Sequence, residues 1–159
     1  MHIYLVRHGI AAGGGDDPPL TDAGIAAIEG LAAVLACADV KPRRVIHSPL
    51  QRARQTARLL SAVVALDLTP EEAASGLYPD DSTDAIAAAV DGWREDVMLV
   101  GHTSNISRLA ARLMSGLDDG VRINFERGTV VCLERTQAGY AWGLNWSIAP
   151  RISLRQFPR

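Results

Sequence analysis

A chain of 159 residues has the length of one domain, and its 48% hydrophobic content supplies one sizeable core and hence, as expected, one active site. The formal net charge of -2 excludes a general polyanion binder, since nucleic-acid affinity rests on a surplus of Lys and Arg; any phosphate site must be a local cluster. No apolar run reaches the roughly 20 residues of a membrane span, and Arg7 and His8 end the opening run before a signal-peptide core forms, so neither nucleic acid nor membrane is an expected partner and the cytoplasm is the expected location.

Ile3-Tyr4-Leu5-Val6, Val45-Ile46 and Val97-Met98-Leu99-Val100 are short apolar runs without clean alternation, as expected of strands buried on both faces in the middle of a parallel sheet. After the first run, Ile25, Ile28, Leu31 and Leu35 fall on one helical face, with Thr21 or Asp22 as cap. After the second, Ser48-Pro49 reads as an N-cap and first-turn proline leading into a helix over Leu50 to Leu66, with Leu59, Leu60 and Val63 for the core. A third helix is expected over Asp81 to Val90. A fourth is expected over Ser104 to Met114, with Ile106, Leu109, Ala110 and Leu113 inward and Thr103-Ser104 able to cap it. Thr129 to Glu134 and Tyr140 to Ile148 read as a late pair of strands around Gly139.

The alternation predicts an α/β fold, a three-layer α/β/α sandwich with a mostly parallel central sheet. No repeat or linker divides the chain, so a single domain over 1–159 is expected. Ala11 to Pro19 and Thr69 to Asp81 are the irregular stretches, expected as loops at a pocket mouth. Cys37 and Cys132 form no CxxC and are expected as buried, reduced thiols. Trp93, Trp142 and Trp146 read as packing residues rather than a nucleic-acid stacking platform.

In such a sheet ligands bind outside the carboxyl ends of the strands, and three of those ends carry chemistry. Arg7-His8-Gly9 follows the first strand. Ser48 to Thr56 follows the second, with Arg52 and Thr56 on one helix face and Arg54 and Arg58 on another, read as solvated. Gly101-His102 follows the third. Two helix N-termini, two histidines and an arginine would converge there on an anion. His2 is expected exposed and His47 turned away from the site. A metal site built on His8, His47, His102 and Asp16-Asp17 is set aside, because the spacing fits no ligand pattern and the neighbouring arginines repel a cation. Gly13-Gly14-Gly15 lacks the Lys-Ser/Thr of a phosphate-cradling loop.

Arg7-His8-Gly9, the Ser-Pro-x-x-Arg-Ala-x-x-Thr run and Gly101-His102 resemble, in that order, the histidine phosphatase (phosphoglycerate mutase-like) superfamily. Pro19-Leu20-Thr21-x-x-Gly24, Gly76-Leu77-Tyr78-Pro79 and the Trp146 to Arg151 stretch ending in Pro150-Arg151 are similar to SixA-type phosphohistidine phosphatases. The resemblance implies a metal-independent phosphatase without cofactor. His8 would be its nucleophile, and Arg7, His8, Arg52 and His102 would be both catalytic and phosphate-binding. The substrate would be a phosphohistidine-bearing protein, such as a phosphotransfer domain of a two-component relay, or a small phosphorylated molecule, with a phosphate ion occupying the pocket.

Many relatives carry a carboxylic acid where this chain has Gly76 or Thr103, and an acidic residue often stands at the place of Ile10. Lack of a general acid favours phosphohistidine, whose labile phosphorus–nitrogen bond needs little help. Glu71, Glu72, Asp80 and Asp81 lie in the nearby loop and are expected in structural roles. The alternatives are a phosphatase or mutase for small phosphate esters, with the mutase disfavoured by a chain too short for an enclosing lid, and a non-catalytic phosphate- or phosphoprotein-binding module.

Overall fold

The computed structural model describes residues 1–135 and 142–150. In chain order the elements are β1 (His2–Arg7), α1 (Asp22–Cys37), β2 (Arg44–His47), α2 (Gln51–Val64), β3 (Glu71–Glu72), α3 (Asp84–Gly92), β4 (Val97–Gly101), α4 (Thr103–Ser115), β5 (Val130–Arg135) and β6 (Trp142–Ile148). All the strands join one six-stranded sheet in the order β3-β2-β4-β1-β5-β6. The first four pair in parallel, while β5 runs antiparallel to β1 and β6 antiparallel to β5.

The three apolar runs are the central strands, as their lack of alternation implies. Successive side chains of a strand leave opposite faces, so both faces must be covered. Ile3, Leu5, Ile46, Val97 and Leu99 pack with Ile86, Val90, Ile106, Leu109 and Leu113 of α3 and α4. Tyr4, Val6, Val45, Met98 and Val100 pack on the other face with Ile28, Leu31 and Leu35 of α1 and Ala53, Ala57, Leu60 and Val64 of α2. The result is the three-layer sandwich expected. Among the described residues no helix is long and apolar enough to cross a membrane.

Several local expectations need correction. In α2 the stripe at three- and four-residue spacing runs through Ala53, Thr56, Ala57, Leu60 and Val64, which leaves Val63 43% exposed rather than in the core. The helix starts at Gln51, with Leu50 in the cap position and no side-chain cap there, while Ser48 Oγ accepts from Leu50 N–H at 3.5 Å and also meets His102 Nε2 at 3.0 Å. Likewise α4 starts at Thr103 with His102 in the cap position, and Ser104 Oγ donates to the Pro79 carbonyl at 2.6 Å instead of capping. The third helix begins at Asp84 rather than Asp81, since the Asp81 carboxylate is occupied by the backbone N–H groups of Gly76 (2.6 Å) and Tyr78 (3.1 Å).

Cys37 is exposed, unlike buried Cys132, and both are free thiols. His2 is half-buried, with its backbone N–H and ring Nδ1 on the Asp96 carboxylate. Within the Thr69 to Asp81 stretch, Glu71 and Glu72 form the short edge strand. Of the strand expected over Tyr140 to Ile148, the part before Trp142 lies outside the described residues.

Thr21 is the N-cap of α1, its Oγ accepting from Gly24 N–H at 3.0 Å. This first turn presses on the chain that leaves β1: Thr21 N–H donates to the Ile10 carbonyl at 2.9 Å, and a side chain on Gly24 would collide with that same carbonyl oxygen. Gly24 therefore sets how closely α1 approaches the segment after His8. Gly24→Ala is expected to lower the unfolding free energy by about 1–3 kcal/mol through overpacking against rigid backbone, measured as a lower denaturant midpoint at unchanged slope.

Candidate active site

The ends of β1, β2 and β4 are laced by backbone hydrogen bonds that continue past the strands. His8 N–H donates to the Gly101 carbonyl at 3.0 Å, and Ser48 N–H donates to the Val100 carbonyl at 2.9 Å. The residues after three strands distant in sequence thus lie side by side. The His8 and His102 rings stand 5.0 Å apart between centroids, tilted by 58°. His102 Nε2 and Ser48 Oγ are 3.0 Å apart. Gly9 N–H donates to Thr56 Oγ1 at 3.0 Å, and that hydroxyl donates to the Arg52 carbonyl at 2.7 Å, joining the turn after His8 to the first turn of α2.

Both rings are buried, His8 8% and His102 4% exposed. Burial pushes the His8 pKa down to about 4, against the opposing hydrogen bond to Gly9, and the charges of Arg52, Arg7 and Arg127 push the same way as burial. Burial, then His8, Arg52 and Arg7, lower His102 to about 3. Both rings are accordingly neutral near pH 7. His8 Nδ1 sits 2.7 Å from the Gly9 carbonyl oxygen, which can only accept, so Nδ1 carries the proton and Nε2 the free lone pair.

The cations are held but not saturated. Arg7 Nη1 donates to the Phe125 carbonyl at 2.7 Å, whereas its Nε is buried without a partner. Arg52 Nη1 is also buried without a hydrogen-bond partner, its nearest carboxylate oxygen, Asp17 Oδ1, lying at 3.6 Å. The same Asp17 oxygen accepts from Gln51 N–H at 2.6 Å, at the start of α2. Buried donors left open beside two neutral imidazoles suit an incoming anion.

All four residues singled out in the sequence, Arg7, His8, Arg52 and His102, are brought to this one place. His47 is buried with its Nδ1 donating to the Ser48 carbonyl at 2.8 Å. Among the carboxylates near the site, Glu71 is held by Arg44 Nε and Nη2 at 3.0 and 2.8 Å, and Asp81 by the loop amides already described. Among the described residues no three His, Cys, Asp or Glu side chains gather as metal ligands. Two surface clefts lie elsewhere, one of about 360 Å³ between the C-terminal ends of α1 and α2 and one of about 460 Å³ beside α4 and Trp142, and neither contains a histidine.

Sequence reasoning missed three contributors. Ser48 holds His102, and Asp17 ties the Ala11 to Pro19 loop to α2. Arg127 stands in a turn whose next residue, Gly128, donates its N–H to both the Arg7 and His8 carbonyls at 3.1 Å. That turn precedes β5, and only the antiparallel pairing of Val130 with Val6 carries it to the end of the sheet where β1 finishes. Two apolar runs read simply as late strands give no sign of it.

The profile of the histidine phosphatase superfamily (branch 1) matches residues 3–75, which include Arg7, His8 and Arg52. An uncharacterised protein of Picosynechococcus is 32% identical over 143 residues, covering 84% of each chain. Among solved structures, the protein histidine phosphatase SixA complexed with tungstate superposes with a TM-score of 0.84 at 24% identity, over 96% of this chain and 99% of that one. A phosphoserine phosphatase mutant from Entamoeba histolytica, in complex with phosphoserine, superposes with a TM-score of 0.70 at 12% identity, over 94% and 98%. Residues 3–75 thus match the histidine phosphatase superfamily, and the fold of the whole chain is shared with solved structures of phosphatases.

The depressed histidine pKa values make stability depend on pH in a definite direction. Between the ordinary value near 6.5 and the folded values of about 4 and 3, the unfolded chain binds protons that the native state refuses, so stability is lost as pH falls through this window. Each histidine contributes a slope on the order of 1.4 kcal/mol per pH unit. Denaturant unfolding of the wild type between pH 6.5 and 4.5 is expected to show this loss, and His8→Gln/His102→Gln to flatten it.

Proposed function

We propose that this chain is a metal-independent phosphatase that transfers a phosphoryl group to His8 Nε2, and that its substrate is phosphohistidine on a protein. The observation carrying this reading is the Nδ1 contact of His8 with the Gly9 carbonyl, which leaves a neutral ring with its lone pair on Nε2, between arginines with open donors. A group that only bound phosphate would serve better as a protonated donor; a nucleophile must be unprotonated where it attacks.

Nε2 forms a bond to phosphorus as the substrate's phosphorus–nitrogen bond breaks, and that electron pair returns to the leaving imidazole. Water then attacks the phosphohistidine on His8, releasing phosphate and restoring the ring. Arg7 and Arg52 stabilise the phosphoryl oxygens throughout, supplying positive charge otherwise available from a metal ion. With His102 Nε2 on the Ser48 hydroxyl, Nδ1 is the ring nitrogen available to the ligand. If Ser48 donates to Nε2, Nδ1 carries the proton and presents it to the phosphoryl oxygens.

The substrate class is supported by what surrounds the site. Gly76, Thr103 and Ile10 offer no carboxyl at the places where the family resemblance implies one, Glu71 is committed to Arg44, Asp81 to loop amides, and Asp17, the carboxylate beside Arg52, to Gln51 N–H. An imidazole leaving group tolerates that lack better than an alkoxide does. The likeness to the SixA protein histidine phosphatase supports the same choice, and that to a phosphoserine phosphatase keeps small phosphate monoesters as the second reading. We further propose that residues 1–159 form one catalytic domain acting in the cytoplasm on a phosphorelay protein.

Phosphate release in the presence of a chelator, from a phosphohistidine-bearing protein and from a simple monoester, tests this. Faster turnover of phosphohistidine is expected. His8→Ala should abolish it, and Arg52→Ala should lower the rate about 10²–10³-fold. Faster turnover of the monoester would assign a general phosphatase, and turnover of neither substrate would leave a binding module.

A further inference from the structure

Arg127 is exposed, and among the described residues no ion pair or hydrogen bond engages its side chain, as for Arg43, Arg54, Arg58 and Arg122; unlike those four, it stands in the turn bonded to the backbone of Arg7 and His8. Its position is nevertheless tightly fixed. Thr129 N–H donates to the Glu126 carbonyl at 2.9 Å, closing the turn, and Arg7 N–H donates to the Thr129 carbonyl at 3.0 Å. Arg7 Nη1 reaches back to the Phe125 carbonyl. Gly128 has φ of 78°, and a Cβ there would lie 2.8 Å from Pro150 Cγ and 3.2 Å from Ile28 Cδ1, so no other residue fits. The turn is thereby locked onto the backbone of the proposed nucleophile, while the Arg127 side chain keeps its freedom.

We propose that Arg127 is a further phosphate-binding residue, its guanidinium engaging the phosphoryl oxygens at the mouth of the pocket from the β5 side. A further guanidinium near Arg7 repels it when the pocket is empty, and an arriving anion relieves that repulsion. Its charge already reaches the site, since it contributes to lowering both Arg7 and His8. A planar fork that is free to swing can add paired, charge-assisted hydrogen bonds to oxygens that the buried arginines leave open to solvent. The inference rests on the proposed phosphoryl site but not on which substrate delivers the phosphoryl group.

Inorganic phosphate is the probe, its affinity measured by titration calorimetry on wild type, Arg127→Ala, Arg127→Lys and, as a control cation on α2, Arg58→Ala. Thermal denaturation of each variant checks the fold. Arg127→Ala is expected to weaken phosphate binding about tenfold, with partial recovery in Arg127→Lys and no change in Arg58→Ala. Unchanged phosphate affinity in Arg127→Ala would overturn the inference even if turnover of a phosphoprotein fell, because Arg127 would then be reading the carrier protein. An equal loss in Arg58→Ala would overturn it in favour of a general electrostatic field. Failure of the wild type to bind phosphate would remove the site itself. Phosphohistidine turnover, measured separately, bears on the proposed substrate alone.

Discussion

Everything in the site depends on the parallel register of β1, β4 and β2. Arg7 lies opposite Gly101, and His47 opposite Val100, so the three strands finish nearly level and the residues after them meet. Buried on both faces, these strands have no freedom to slip, because a one-residue shift would send every core side chain to the wrong layer. The hydrophobic core thus fixes the relative position of four polar residues that have no strong attraction for one another.

Those residues are poorly matched when no ligand is present. Two arginines carry buried donors without partners, and two imidazoles are held neutral by desolvation and by the arginine charges. Such a cluster costs native stability, which the two well-packed layers offset. A dianionic phosphoryl group relieves the first of these terms: it satisfies the open donors and offsets the arginine charges. The arginines that draw in the anion also add to the effect of burial in keeping the nucleophile neutral.

The connections complete what the strands begin. Thr56 joins the turn after His8 to α2, Ser48 steadies His102, Asp17 holds a loop to the start of α2, and the Gly128 turn backs β1 from the antiparallel side. Each acts through the backbone or a short polar side chain, so the reactive groups themselves remain open to a ligand.

Much of this was legible in the chain itself. Apolar runs without alternation gave the central strands, helical spacing gave α1 and α4, and the placement of Arg7-His8, Arg52 and His102 after strands pointed to the candidate site, because local periodicity and the strand-end rule act within a few residues. Tertiary structure alone decided the rest. The Ser48 hydroxyl, expected as a cap, accepts from Leu50 N–H but also meets a histidine 54 residues away, Asp81, expected as a helix start, closes a loop, and Val63, expected in the core, faces outward once small side chains set the rotation of α2. The turn carrying Arg127 meets the end of β1 only because β5 pairs antiparallel with β1. Pairing partners and the competition for a hydroxyl or carboxylate are settled by distant contacts, on which the local sequence pattern is silent.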